Sequence, residues 1–267
     1  MTSIALCQIP VDVDPAANLD RVREALVAAR ASGAELAIFP EATLTRYGKR
    51  VTELAQPLDG PFVTGVADAA RAAGVAVIVG IFETGPDSLV YNTAVVLDEA
   101  GTRIAAYRKI HLFDSFGARE SELVAPGGTP TVVEVAGLRV GLITCYDVRF
   151  PELTRALVDE GAELFAVIAA WGAGPMKEEH WATLVRARAI ENTMWTAAVG
   201  QAPNLAASDT FGIGRSMIVD PLGVVRVDLG PAPAIHVAKI DQEVTATTRV
   251  VLPSLEHRVL GVAKPVK

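Results

Sequence analysis

Short apolar runs alternate with stretches of helical periodicity along the whole chain. The first run, Ile4-Ala5-Leu6-Cys7-Gln8-Ile9, predicts a strand. Asp14-Pro15 then supplies a cap and a first-turn proline, and Leu19, Val22, Ala25, Leu26 and Ala29 recur at helical spacing until Gly33. A second apolar strand, 35–41, ends in a carboxylate, Glu41, rather than in a usual turn residue. Pro61 opens a helix that Gly74 ends, and 75–82 reads as a buried strand. Segments 91–98 and 103–110 flank Glu99-Ala100-Gly101 and predict a hairpin; 132–135 and 138–144 predict another around Ala136-Gly137. Helix 151–160, strand 164–169, a helix from about 176 to 192 and strand 194–200 follow. Strands 216–220, 224–228 and 235–240 and a short helix from Gln242 complete the pattern, and the tail after Pro253 reads as irregular. Strand–helix alternation combined with hairpins predicts an α/β fold of two sheets packed face to face with helices outside. The alternation has no linker, low-complexity tract or short repeat, so residues 1–267 are expected to form one domain.

Composition narrows the function classes. A 51% hydrophobic content over 267 residues permits a large core. A net charge of −7 without a basic cluster argues against nucleic acid as a partner. No apolar run reaches the roughly 18 residues of a membrane span. Two cysteines are too few for a stapled secreted domain, and the N-terminus reads directly as a strand rather than as a signal peptide. A reducing, cytoplasmic setting is the expectation.

The candidate chemistry lies at strand ends. Cys145 stands between an apolar strand and the helix that Pro151 opens, on backbone held rigidly at both sides. The partly positive start of a helix favours a thiolate there. Cys7, in contrast, has only apolar strand neighbours and reads as core. Glu41 and Lys109 end two other strand-like segments. A thiol that attacks, a carboxylate that moves protons and an ammonium that stabilises an oxyanion form a set suited to nucleophilic acyl chemistry. No Gly-x-Ser-x-Gly elbow, metal-ligand cluster or phosphate loop occurs, so neither metal nor cofactor is implied.

Pro40-Glu41, Tyr107-Arg108-Lys109-Ile110-His111 and the run from Cys145 through Tyr146, Asp147, Val148, Arg149, Phe150 and Pro151 to Glu152 resemble the three signature segments of the nitrilase superfamily of carbon–nitrogen hydrolases, in its Nit-type amidase branch. Trp171, His180-Trp181, the segment 186–192 and the segment 214–223 extend the resemblance in the family's order. It implies a four-layer α-β-β-α sandwich, two mixed sheets with helices outside, assembled as a homodimer or larger oligomer. It also implies catalytic roles for Glu41, Lys109 and Cys145, support from Glu120 (Glu122 being the rival) and from the Tyr146 backbone N–H, and no cofactor. Tyr47, Arg46, Phe116, Arg149 and Trp171 are candidate pocket walls, and Arg149 is also expected to pair with Asp147 or Glu152. His111, two residues beyond Lys109, reads as structural.

The activity implied is hydrolysis of a small carboxylate-bearing amide, of the ω-amide or deaminated-glutathione type, through a cysteine thioester. Carbamoyl-amine hydrolysis is the nearest rival. A catalytically silent binding or assembly protein of the same fold is the alternative from another class; loss of any of Glu41, Lys109 and Cys145 would favour it, and all three are present. A thiol-redox protein is weakened by the lack of a resolving cysteine near Cys145. Gly200-Gln201, Gly172-Ala173-Gly174 and the short loop 115–119 depart from the family pattern and bear on substrate choice.

Overall fold

The computed structural model describes residues 1–205 and 211–261. Twelve strands form two six-stranded mixed sheets among these residues. The first has the order β12-β1-β2-β3-β4-β5, from β1 (Thr2–Gln8), β2 (Leu36–Ile38), β3 (Ala76–Thr84), β4 (Val90–Leu97), β5 (Arg103–Arg108) and β12 (Ala234–Ile240). The second has the order β11-β10-β9-β8-β7-β6, from β6 (Val132–Val135), β7 (Leu138–Thr144), β8 (Leu164–Ala169), β9 (Trp195–Gly200), β10 (Met217–Val219) and β11 (Val225–Asp228). Each sheet is parallel at its centre, β1-β2-β3 and β7-β8-β9, and antiparallel towards its edges.

Side-chain alternation explains the layering. Ile4, Leu6, Leu36, Ile38 and Ile78 join the cluster shared with the second sheet, whereas Ala5, Cys7, Ala37, Phe39 and Val77 face the other way. That outer face is covered by α1 (Pro15–Ala31) and α3 (Pro61–Ala73) through Val22, Leu26, Val63 and Val66. Helices α4 (Pro151–Asp159) and α5 (Lys177–Asn192) cover the far side of the second sheet with Leu153, Leu157, Trp181 and Val185. The result is a four-layer α-β-β-α sandwich. A further turn of helix, α2 (Val51–Leu54), and a C-terminal α6 (Gln242–Val251) complete the elements.

The local signals act as expected of them. Asp14 Oδ1 accepts from Ala16 N at 3.0 Å at the start of α1, and Gly74 ends α3 at φ 62°. The apolar helix positions Leu153, Leu157 and Val185 are buried within the chain's own core, and Val158 and Leu184 pack against it. Exposed apolar side chains gather instead near the C-terminal end, at Val250, Val251, Leu252, Val259 and Leu260. No helix among the described residues is long and apolar enough to cross a membrane.

Candidate active site

Glu41 lies three residues beyond the end of β2, in a turn and not in the strand that the apolar run 35–41 suggested. Pro40 has no N–H to continue a ladder, so pairing stops before it. Gly80 of β3 lets this turn pass: a Cβ there would stand 2.6 Å from Glu41 Cα. The next residue, Ala42, has φ 56°, a left-handed conformation that costs a non-glycine residue about 1–3 kcal/mol. Cys145 itself has φ 49° directly after β7 and opens a 3-10 turn, Cys145–Arg149, before Pro151 starts α4. The bend ends the strand's pairing at Thr144, and Cys145 lines a cavity. Lys109 follows β5, its N–H donating to Asn92 O at 2.8 Å.

Asp147 joins two of these segments. Wholly buried, it accepts from Thr144 N at 3.1 Å, His111 N at 3.0 Å and Tyr107 OH at 2.7 Å, and its Oδ1 lies 2.7 Å from His111 Nδ1. Burial and then the Asp147 carboxylate push the Tyr107 hydroxyl well above its ordinary pKa, so it stays a donor. His111 therefore braces the elbow, with its ring stacked on Phe150 at 3.7 Å, and does not line the cavity that holds Lys109. Because Asp147 faces this way, the ion pair expected between it and Arg149 does not form, nor does one with Glu152 among the described residues. Arg149 Nη2 instead stands 3.3 Å from His180 Nδ1, with the guanidinium 5.1 Å from the Trp171 ring.

Glu41, Lys109, Glu120 and Cys145 line one cavity of about 250 Å3. The three charged side chains are only 3%, 2% and 2% exposed for Glu41, Lys109 and Glu120, so each must be paired. Lys109 Nζ donates to Glu41 Oε1 at 3.1 Å and to Glu120 Oε2 at 2.8 Å. Asn92 Nδ2 donates to Glu41 Oε1 at 2.7 Å and to Glu120 Oε1 at 3.1 Å. Ala170 N donates to Glu41 Oε2 at 2.6 Å, and Phe113 N to Glu120 Oε2 at 2.6 Å. Gln201 Nε2 holds the Glu41 carbonyl at 2.9 Å. Glu122 remains exposed beside Arg119, so the carboxylate that meets the lysine is Glu120.

The electrostatics follow from burial against charge. Burial opposes the Lys109 ammonium, but the Glu41 and Glu120 carboxylates outweigh it and hold its pKa well above the ordinary lysine value. Burial and the nearby Glu41 carboxylate raise the Cys145 thiol well above its ordinary value, against the pull of Lys109. Burial and Glu41 thus work against the thiolate that a helix start alone would favour, and Glu41 stands in the same cavity as a proton acceptor for the thiol.

Of the candidate walls, Tyr47, Phe116 and Trp171 line the cavity, whereas Arg46 and Arg149 do not; Tyr146, expected to lend its backbone N–H, also lines it. Sequence reading missed Asn92, the Ala170 N–H, Phe113 and Lys177. Asn92 sits mid-strand in β4, where nothing in the alternation marks it, and a backbone N–H has no residue-type signal. Lys177 reads as an ordinary helix-start residue, yet its Nζ lies 4.7 Å from the Phe113 ring centroid, 4.6 Å from Phe116 and 5.2 Å from Trp171.

A carbon-nitrogen hydrolase family model matches residues 3–250. A hydrolase of Mycobacterium tuberculosis is 44% identical over 92% of this chain and 91% of its own. A deaminated glutathione amidase of Escherichia coli O157:H7 is 37% identical over 84% of each chain. Among solved structures, the C. elegans NitFhit protein superposes with a TM-score of 0.89 at 30% identity, covering 96% of this chain. The chain spans 65% of that protein's length.

Proposed function

The chain belongs to the carbon–nitrogen hydrolase family, in its Nit-type branch, and on that premise we propose that it hydrolyses a small carboxylate-bearing linear amide through a thioester on Cys145. The observation that carries the reading is the meeting of a thiol, two carboxylates and an ammonium in one small cavity.

Glu41 accepts the Cys145 proton as the sulfur attacks the amide carbon. The negative charge that develops on the carbonyl oxygen is met by Lys109 Nζ and by the Tyr146 N–H, one of the unpaired donors at the start of a helical turn. Glu41 then passes its proton to the departing nitrogen, and ammonia or an amine leaves. An acyl group remains on the sulfur. Glu41 next takes a proton from water as that water attacks the thioester, and the acid is released with the thiol restored. Glu120 and Asn92 hold Lys109 and Glu41 in register throughout. Three donors, Lys109 Nζ, Asn92 Nδ2 and Ala170 N, already fix Glu41, so its carboxylate changes protonation without changing position.

The same reading takes residues 1–267 as one catalytic domain, acting in the cytoplasm as a homodimer. Exposed Val250, Val251 and Leu252 in and beside α6 support an assembly face.

A panel assay scoring ammonia release tests it. The panel holds ω-amides of α-keto acids, deaminated glutathione and carbamoyl amines. The expected result is turnover of the first two classes over the third; preference for carbamoyl amines would overturn the substrate assignment.

A further inference from the structure

The cavity holds two lysines, and only one has a partner. Lys109 is consumed by Glu41 and Glu120. Lys177, at the first position of α5, is 9% exposed, and among the described residues no carboxylate pairs with it. Lysines are almost never buried without a partner. The adjacent acid does not serve it, since Glu178 pairs with Arg215 at 3.1 Å. What surrounds the ammonium instead is the ring faces of Phe113, Phe116 and Trp171. Ring quadrupoles attract a cation but replace only part of its lost hydration.

The backbone is shaped to aim this side chain. Met176 precedes it at φ 58°, a left-handed conformation for a non-glycine residue. Gly174, at φ 148°, leaves room for the lysine stem: a Cβ there would meet Lys177 Cγ at 3.3 Å. Trp171 Nε1 donates to Lys177 O at 2.9 Å, which locks the ring and the lysine to each other. A side chain's Cβ leans towards its helix's N-terminus, so a residue at the first position of α5 reaches out over the end of the helix and into the cavity. Burial and the Arg149 guanidinium lower the Lys177 pKa, the mark of a charge that its surroundings do not neutralise. An arriving anion would remove that deficit.

We propose that Lys177 Nζ, presented by the rings of Phe113, Phe116 and Trp171, is the subsite for the carboxylate at the far end of the substrate, and that it selects monoamides of dicarboxylic acids over neutral and cationic amides. This rests on the amidase reading above and adds the residue that sets its specificity. Lys177 is a binding group and takes no part in the proton transfers. A substrate whose far end is an amine meets a like charge at Lys177, so a carbamoyl amine with a free cationic end is rejected there.

The test compares three monoamides of increasing length (succinamate, glutaramate, adipamate) with the neutral diamide glutaramide, in the full chain and in Lys177→Met, Lys177→Gln and Lys177→Arg. Wild type is expected to prefer the best monoamide over glutaramide by at least tenfold in kcat/KM, mostly through KM. That ratio should fall towards unity in Lys177→Met and Lys177→Gln and be partly retained in Lys177→Arg. Calorimetric titration with glutarate, which needs no turnover, should give at least tenfold weaker binding in the two uncharged variants. If one of those variants fails to fold, the other and the arginine variant carry the comparison. An unchanged monoamide-to-diamide ratio together with unchanged glutarate binding overturns the subsite while leaving the amidase reading intact. Lys177-dependent glutarate binding without release of ammonia from any amide supports the subsite and overturns the amidase reading.

Discussion

Ala170 N donates to Glu41 Oε2 at 2.6 Å, a bond between the turn after β2 in one sheet and the end of β8 in the other. The carboxylate is therefore fixed by both halves of the sandwich at once. Lys109 and Cys145 repeat the pattern, one following the edge strand β5 of the first sheet and the other following β7 of the second. Packing of the two sheets and assembly of the site are one event.

In the proposed mechanism Lys109→Ala removes an oxyanion donor, and it leaves two buried carboxylates without their cation. Turnover is expected to fall on the order of 100-fold or more. Stability should fall as well, by about 3–5 kcal/mol, because the charges left behind stay buried. Steady-state rates and urea unfolding of the same preparation check both.

Asn92 acts through other residues. Asn92→Ala deletes one donor to Glu41 and one to Glu120, and hydrogen bonds to charged groups contribute about 1.5–3 kcal/mol each. The expected outcome is a roughly tenfold or larger loss in kcat with KM little changed, since catalytic geometry suffers while substrate contacts remain. A loss confined to KM would place Asn92 in binding instead.

The thiol should titrate late. Burial and Glu41 hold the Cys145 pKa well above its ordinary value of 9.0, so ultraviolet absorbance should show no thiolate from this residue at neutral pH. Cys7→Ala isolates the signal. Glu41→Gln removes a negative charge that raises the pKa, so in that variant the thiolate should appear at lower pH than in the parent. A thiolate already present at neutral pH in the parent would contradict the coupled proton transfer.

Lys177 gives a pH dependence of opposite sense. Its pKa lies below the ordinary 10.5, by burial and by Arg149, with Cys145 acting the other way. As pH rises the cation is lost before an ordinary lysine would lose it. Preference for monoamides over glutaramide should decline over that range, and Lys177→Arg, which stays charged, should keep its preference.

The sequence made much of this legible for identifiable reasons. Capping at Asp14, the break at Gly74 and the hairpin at 99–101 are local, and the elements there follow the pattern closely. Glu41, Lys109 and Cys145 stand out because segments 40–41, 107–111 and 145–152 resemble, in order, the signature segments of one family. The placement of β12 beside β1 was not legible, since that pairing joins residues more than 200 positions apart in the register Thr2 to Ile240. Asn92 and Lys177 were missed because each is ordinary in its local context; only the fold brings Asn92 between two carboxylates and Lys177 among three rings. Gln201, noticed as a departure from the family pattern, turns out to hold the Glu41 backbone.

The most direct test of the mechanism is intact-mass analysis of the protein mixed with a slowly hydrolysed monoamide. The account predicts an added mass equal to the acyl group, carried by Cys145, present in Cys7→Ala and absent in Cys145→Ala, with ammonia release lost in parallel. Ammonia release by Cys145→Ala at the wild-type rate, from a substrate that the wild type accepts, would contradict it.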